Sequence, residues 1–197
     1  MPDDEKNRTT IKSEEFPMSD TQKQNYTFVL MGVSGSGKSA VANGVAQQLQ
    51  AAFLDGDFLH PKANILKMAS GHALNDEDRQ PWLEALNQAI FAMQRTNDIS
   101  LVVCSALKKK YRNILREDNK NLFFIYLKGD ANVIEERLKA RKGHFFKPEM
   151  LKTQFATLEE PNEAETDVHA VDIRQSLEDV IGNTCSTITQ IVSGDTV

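Results

Sequence analysis

The 197-residue sequence predicts a three-layer α/β/α fold around a mostly parallel five-stranded sheet. Three observations carry this. Apolar runs of strand length, among them Tyr26–Met31, Ile99–Cys104 and Leu122–Leu127, are continuous rather than alternating, which marks strands covered on both faces. The segments between them place apolar residues at helical spacing. A glycine-rich turn, Gly32-Val33-Ser34-Gly35-Ser36-Gly37-Lys38-Ser39, joins the first strand to the first helix, as strand and helix are joined in sheets of this kind.

Taken in order, Tyr26–Met31 is the first strand, and Val41, Val45 and Leu49 line one side of the first helix. Ala51–Leu54 is a short second strand ending at Asp55-Gly56-Asp57. Pro61 is suited to begin a helix to Ser70, because a helix start leaves its first N–H groups unpaired and proline has none, and Gly71 is suited to close it. A helix following Pro81 presents Leu83, Leu86, Ile90 and Met93 on one stripe. Ile99–Cys104 is the third strand, Leu107–Arg116 a helix, and Leu122–Leu127 the fourth strand. Asp130 is placed to cap the helix that carries Arg137 and Arg141, and Pro148 to open the one containing Leu151, Phe155 and Leu158. The acidic stretch Glu159–Asp167 reads as a loop and Val168–Val171 as the last strand. Ser176-x-x-Asp179 resembles a capping box before a final helix bearing Val180, Ile181, Thr184, Ile188 and Ile191.

Composition, at 40% hydrophobic and 26% charged, suits one globular domain over residues 25–197. Residues 1–24 are polar and acidic, with Asp3, Asp4, Glu5, Glu14 and Glu15, and read as a disordered tail rather than a basic, apolar targeting peptide. A net charge of −5 excludes a general attraction to nucleic acid or to anionic membrane, so any anion site has to be local. No apolar run has the length of a membrane helix. Cys104 and Cys185 read as small hydrophobes in a reducing cytoplasm rather than as a disulfide or metal ligands.

The glycine-rich turn fits G-x-x-x-x-G-K-[ST], the phosphate-binding loop. Its glycines let successive backbone N–H groups face one anion, and the following helix adds its positive end. Lys38 then reaches the outer phosphates of a nucleoside triphosphate and Ser39 ligates Mg²⁺. In parallel sheets ligands lie beyond the carboxyl ends of the strands, so polar residues just after each strand are expected to converge.

Four further constellations are candidates for chemistry, each with a plainer alternative. Asp55 and Asp57 share one side if the strand stays extended and could serve Mg²⁺ and an attacking hydroxyl, or they form an ordinary Asp-Gly turn. Arg79 could clamp a substrate carboxylate or pair with Asp76 or Asp78, and His60 could meet a sugar hydroxyl or cap the helix at Pro61. Ser105, Lys108 and Arg112 follow the third strand, with the two cations at i, i+4, and make a positive patch or a solvated face. Arg137 and Arg141, one turn apart before Gly143, suit a lid over about residues 137–150 that closes on phosphates, or simply complement a helix C-terminus.

Read together, these segments resemble the gluconate kinase family of the thermoresistant type, from about Tyr26 to the final helix. The likeness rests on Met31–Ser39, Asp55-Gly56-Asp57-Phe58-Leu59-His60-Pro61, Leu74–Trp82, Cys104-Ser105-Ala106-Leu107-Lys108 and Gly143-His144-Phe145-Phe146, in that order. The resemblance implies a P-loop kinase fold with a mobile lid, often a homodimer, that moves the γ-phosphoryl group of ATP to the 6-hydroxyl of D-gluconate. Carried over by position, Lys38 and Ser39 serve phosphate and Mg²⁺, Asp57 orients or deprotonates the substrate hydroxyl, and Asp55 supports the metal. His60, Arg79 and Lys108 are the implied gluconate contacts, with Arg137 at the adenine and Arg141 at the phosphates. Ala73 stands where the family commonly has proline, which loosens a turn without removing a reactive group. A kinase acting on shikimate or a nucleotide is the rival on the same scaffold. A nucleotide switch is the rival from another class, although Lys128-Gly129-Asp130 lacks the Asn-Lys-x-Asp base-reading arrangement.

Overall fold

The computed structural model describes residues 24–140 and 148–194. The segment assigned to the acidic tail and the centre of the expected lid, Arg141 and Gly143–Phe146 included, lie outside the described residues. Five strands form one sheet: β1 (Tyr26–Met31), β2 (Ala52–Asp55), β3 (Ile99–Val103), β4 (Leu122–Lys128) and β5 (Val168–Asp172). The spatial order is β2-β3-β1-β4-β5, and every pairing is parallel.

Seven α-helices accompany the sheet among the described residues: α1 (Lys38–Leu49), α2 (Lys62–Ala69), α3 (Asp76–Met93), α4 (Lys109–Arg116), α5 (Ala131–Ala140), α6 (Pro148–Thr157) and α7 (Leu177–Ser193). The period of two along each inner strand splits the core into two layers. Phe28 and Leu30 of β1, Leu101 and Val103 of β3, and Ile125 and Leu127 of β4 face Val41 and Val45 of α1 and Val180 and Ile188 of α7. Their neighbours Val29, Met31, Val102, Phe124 and Tyr126 face Trp82, Leu83, Leu86 and Ile90 of α3 and Tyr111 and Leu115 of α4. Continuous apolar strands are therefore required, because both faces are buried.

Central β1 delivers the phosphate loop between its neighbours β3 and β4, at their carboxyl ends. Gly32 has φ 139°, and a Cβ there would come 3.0 Å from the Leu127 carbonyl oxygen, so the close approach of loop to β4 admits no side chain without strain.

Two helix starts differ from the sequence expectation. The helix expected after Pro81 begins at Asp76, with Pro81 inside it. Asn75 caps it: the Asn75 side chain accepts from the Asp78 N–H at 2.9 Å and the Asp78 carboxylate accepts from the Asn75 N–H at 2.8 Å. This reciprocal box outweighs the proline signal. The helix expected from Leu107 begins at Lys109, because Lys108 keeps an extended backbone as its cap residue.

Candidate active site

Phosphate loop and metal donors. In the loop Lys38 folds back, its Nζ donating to the carbonyls of Gly32 and Val33 at 3.0 Å each. Burial pushes its pKa down, opposed by the negative charges of Asp57 and Asp55 and by Cys104. A desolvated ammonium that lacks a carboxylate at ion-pair distance among the described residues is poised for an incoming anion. Ser39 opens α1 and its Oγ donates to Asp55 Oδ2 at 3.2 Å. A hydroxyl and a carboxylate oxygen side by side are hard donors that fit Mg²⁺, which takes one or two protein oxygens and completes its shell with waters and phosphates. Among the described residues no cluster of three or more His, Cys, Asp or Glu could hold a metal by itself.

Asp55 and Asp57 do not continue an extended strand. The chain enters a short 3-10 turn at Gly56–Leu59, and Asp55 caps it by accepting from the Asp57 N–H at 3.1 Å. The two carboxylates therefore separate: Asp55 turns to Ser39, and Asp57 stands 79% exposed with Oδ1 3.9 Å from His60 Nε2. Of the negative groups acting on Lys38, Asp57 exerts the largest effect. It is thus close to Lys38 electrostatically and to His60 by distance.

Those side chains sit on a scaffold built from α2 and α3. His60 stacks on Trp82 with ring centroids 4.1 Å apart, and Trp82 Nε1 donates to the Gly56 carbonyl at 2.8 Å, tying the 3-10 turn to α3. Asn64 Nδ2 donates to the Asp78 carbonyl at 2.7 Å and faces His60 Nδ1 at 3.4 Å. An amide nitrogen only donates, so Nδ1 accepts and the ring proton stands on Nε2, toward Asp57. Burial and then Arg79 push the His60 pKa down, against Asp57, so the ring is neutral at neutral pH.

Arg79 is half-buried, with its guanidinium 5.9 Å from the Tyr111 ring centroid. Neither offered partner takes it. Asp78 pairs with Lys67 at 2.5 Å, and Asp76 receives Lys108 at 2.8 Å, Lys110 at 2.5 Å and the Tyr111 hydroxyl. Those donors, Lys108 first, hold the Asp76 carboxyl well below the usual carboxylate range. Lys108 thus reaches the site already paired, while Arg79 has no carboxylate at ion-pair distance among the described residues.

Arg112 corrects the expected positive patch. It is fully buried, with Nη2 donating to Glu165 Oε1 at 2.6 Å and Nε to Oε2 at 2.8 Å. Its Nη1 donates to the Ala106 carbonyl at 3.1 Å. Ala106 has φ 43°, a left-handed conformation unfavourable for a residue with a Cβ, so Arg112 braces a strained turn between β3 and Lys108. It shapes the site without facing it.

Arg137 Nη2 donates to the carbonyls of Ile173 and of Gln175, the latter at 3.1 Å, beyond the end of β5. It borders the phosphate loop, lying 3.9 Å from where a Gly37 Cβ would stand. Cys104, at the end of β3, is buried and its thiol is pushed up to about 12, so it is no nucleophile at neutral pH. Sequence reasoning missed Gln154 of α6, which accepts from the Ser34 N–H at 2.6 Å and donates to Ser34 Oγ at 2.9 Å. No local signal marks it, since its partner lies 120 residues away.

A family model for shikimate kinase matches residues 34–190. The thermoresistant gluconokinase of Escherichia coli K12 is 69% identical over 171 residues, spanning 87% of this chain and 98% of that protein. The thermosensitive gluconokinase of the same strain is 47% identical over 154 residues, 78% of this chain and 82% of its own length. A crystal structure of a gluconokinase from Sinorhizobium meliloti 1021 superposes with a TM-score of 0.77 at 39% identity, covering 86% of this chain and 94% of that one.

Proposed function

We infer the reaction from the premise that this chain belongs to the gluconokinase family, within the wider group that the shikimate kinase family model describes. The protein is an ATP-dependent kinase that phosphorylates gluconate, giving 6-phospho-D-gluconate and ADP. The observation that carries the reading is the position of Asp57, which acts electrostatically on Lys38 at the phosphate loop and faces His60 Nε2 on the acceptor side.

In the mechanism this geometry supports, the loop N–H groups and the α1 N-terminus cradle the nucleotide phosphates. Lys38 exchanges its carbonyl partners for the transferring group, whose charge is spread over its outer oxygens. Ser39 and Asp55 would hold Mg²⁺, which would supply positive charge to offset that developing on the transferring phosphate. Asp57 orients the 6-hydroxyl and accepts its proton. His60 donates from Nε2 to a substrate hydroxyl, and Arg79 offers the fork that a carboxylate accepts. Lys108 joins that contact by sharing its ammonium between Asp76 and the substrate. Arg137, held beside the loop by the carbonyls of Ile173 and Gln175, flanks the adenine, and the family resemblance assigns the phosphates to Arg141, which lies outside the described residues. The same reading includes a homodimer and a cytoplasmic location; the described residues contain no helix long and apolar enough to cross a membrane.

A coupled ADP-release assay across gluconate, glucose, sorbitol, shikimate and nucleoside monophosphates tests the function. Turnover confined to sugar acids is expected. Preferential turnover of shikimate or of a nucleotide would overturn the gluconate assignment and leave phosphoryl transfer standing. Light scattering of the purified protein tests the dimer.

A further inference from the structure

We propose that Gln154 positions the terminal phosphate of the nucleotide, handing the Ser34 N–H to it and so making the site sense a triphosphate rather than a diphosphate. The inference rests on the ATP reading of the phosphate loop. Two contacts carry it. Gln154 Oε1 accepts from the Ser34 backbone N–H at 2.6 Å, and Gln154 Nε2 donates to Ser34 Oγ at 2.9 Å, so one carboxamide engages two groups of one loop residue. Both side chains are half-buried, which makes these hydrogen bonds more than a surface accident.

The end of the loop at which this happens is set by Lys38. Its ammonium, the group that serves the outer phosphates, lies against the carbonyls of Gly32 and Val33, immediately before Ser34. Ser34 is therefore at the terminal-phosphate end, whereas N–H groups at a helix start following such a loop serve the inner phosphates. A phosphate oxygen and a carboxamide oxygen are both acceptors, and the Ser34 N–H is a single donor. When the terminal phosphate arrives, Oε1 has to give up that N–H. The other end of the same carboxamide, Nε2, is a donor at the same place and matches a phosphate oxygen. A diphosphate does not extend to this end and leaves the clasp closed. The amide thus blocks the empty loop and supplies a donor to the filled one, and α6 is linked to the state of the nucleotide through one side chain.

The test compares ADP with a non-hydrolysable ATP analogue, each with Mg²⁺, on the full-length protein. In Q154E the carboxylate keeps the Ser34 N–H and repels the terminal phosphate. Affinity for the triphosphate is expected to fall at least about tenfold more than affinity for ADP, a ratio equivalent to ~1.4 kcal/mol. A structural role in packing α6 would weaken both nucleotides alike, and equal change or no change overturns the proposal. Independently of folding of the variant, the side-chain amide resonance of Gln154 in the ¹⁵N-labelled wild type is expected to shift with the triphosphate and to stay near its free position with ADP. Movement with both nucleotides, or with neither while both bind, overturns the proposal and spares the ATP reading. Failure of the wild type to bind either nucleotide overturns both.

Discussion

Removing Arg79 is expected to erase the enzyme's preference for a sugar acid over the corresponding neutral sugar. The guanidinium is half-buried on the first turns of α3, and the acids nearest in sequence are engaged elsewhere: Asp78 by Lys67, Asp76 by Lys108, Lys110 and Tyr111. Its charge is accordingly not cancelled locally. A hydrogen bond to a charged group contributes about 1.5–3 kcal/mol, and a partly desolvated cation facing a neutral ligand forfeits that contribution. At a factor of ten per ~1.4 kcal/mol, the wild type should favour gluconate over sorbitol by roughly 10- to 100-fold in kcat/KM from this residue alone.

The assay is ADP release with gluconate and sorbitol as acceptors at saturating ATP. In Arg79→Ala, kcat/KM for gluconate is expected to fall by that same factor, while sorbitol changes little and the KM for ATP is preserved. Arg79→Lys should recover part of the loss, since a lysine restores charge but not the planar fork. Equal losses on both acceptors would mean that Arg79 merely supports α3, and an unchanged gluconate kcat/KM would place the carboxylate elsewhere.

Three other outcomes follow from the same geometry. Lys38→Met should leave the melting temperature nearly unchanged and lower kcat by at least roughly 10²-fold, because the ammonium acts on transferring charge in a desolvated place; near-normal turnover of the folded variant would refute the site. Asp57→Asn should lower kcat with little change in ATP affinity, since the amide cannot take the hydroxyl proton; loss of ATP affinity with normal kcat would reverse its role. Glu165, held by Arg112 and then Arg116, has its carboxyl pulled from an ordinary 4.5 to about 2. Because the folded value lies below the unfolded one, this group stabilises the protein fully above pH ~4.5 and ceases to do so as pH falls toward 2. Arg112→Met leaves the buried Glu165 carboxylate with Arg116 as its remaining cation and should cost roughly 1–3 kcal/mol in urea unfolding near neutral pH; no loss of stability there would refute the buried-pair assignment.

The sheet was legible because its signals are local. The inner strands β1, β3 and β4 are largely apolar runs, and the bounds of β1 agree with the sequence reading from Tyr26 to Met31. The phosphate loop, too, is a contiguous motif. Where the reading failed, two local signals competed or the partner was distant. At α3 the proline looked like a helix start, although the Asn75-x-x-Asp78 box that prevails was equally visible in the sequence. The i, i+4 pairing of Lys108 with Arg112 presumed that both lie inside one helix. Lys108 is the extended cap residue, so the two diverge, and Arg112 meets a carboxylate 53 residues away. Gln154 was illegible for the same reason, since only the fold brings α6 to Ser34.

That division explains how a chain of net charge −5 keeps an anion site. Attraction does not come from a surplus of cations. Carboxylates near the cleft are committed to other partners: Asp76 and Asp78 to lysines and a tyrosine, and Asp55 to Ser39. Lys38 and Arg137 at the loop and Arg79 on α3 are left without a carboxylate at ion-pair distance among the described residues, and Asp57 stands exposed beside His60. Interactions among such groups strengthen as water is excluded, so the site gains its pull on anions from where its carboxylates are tied down.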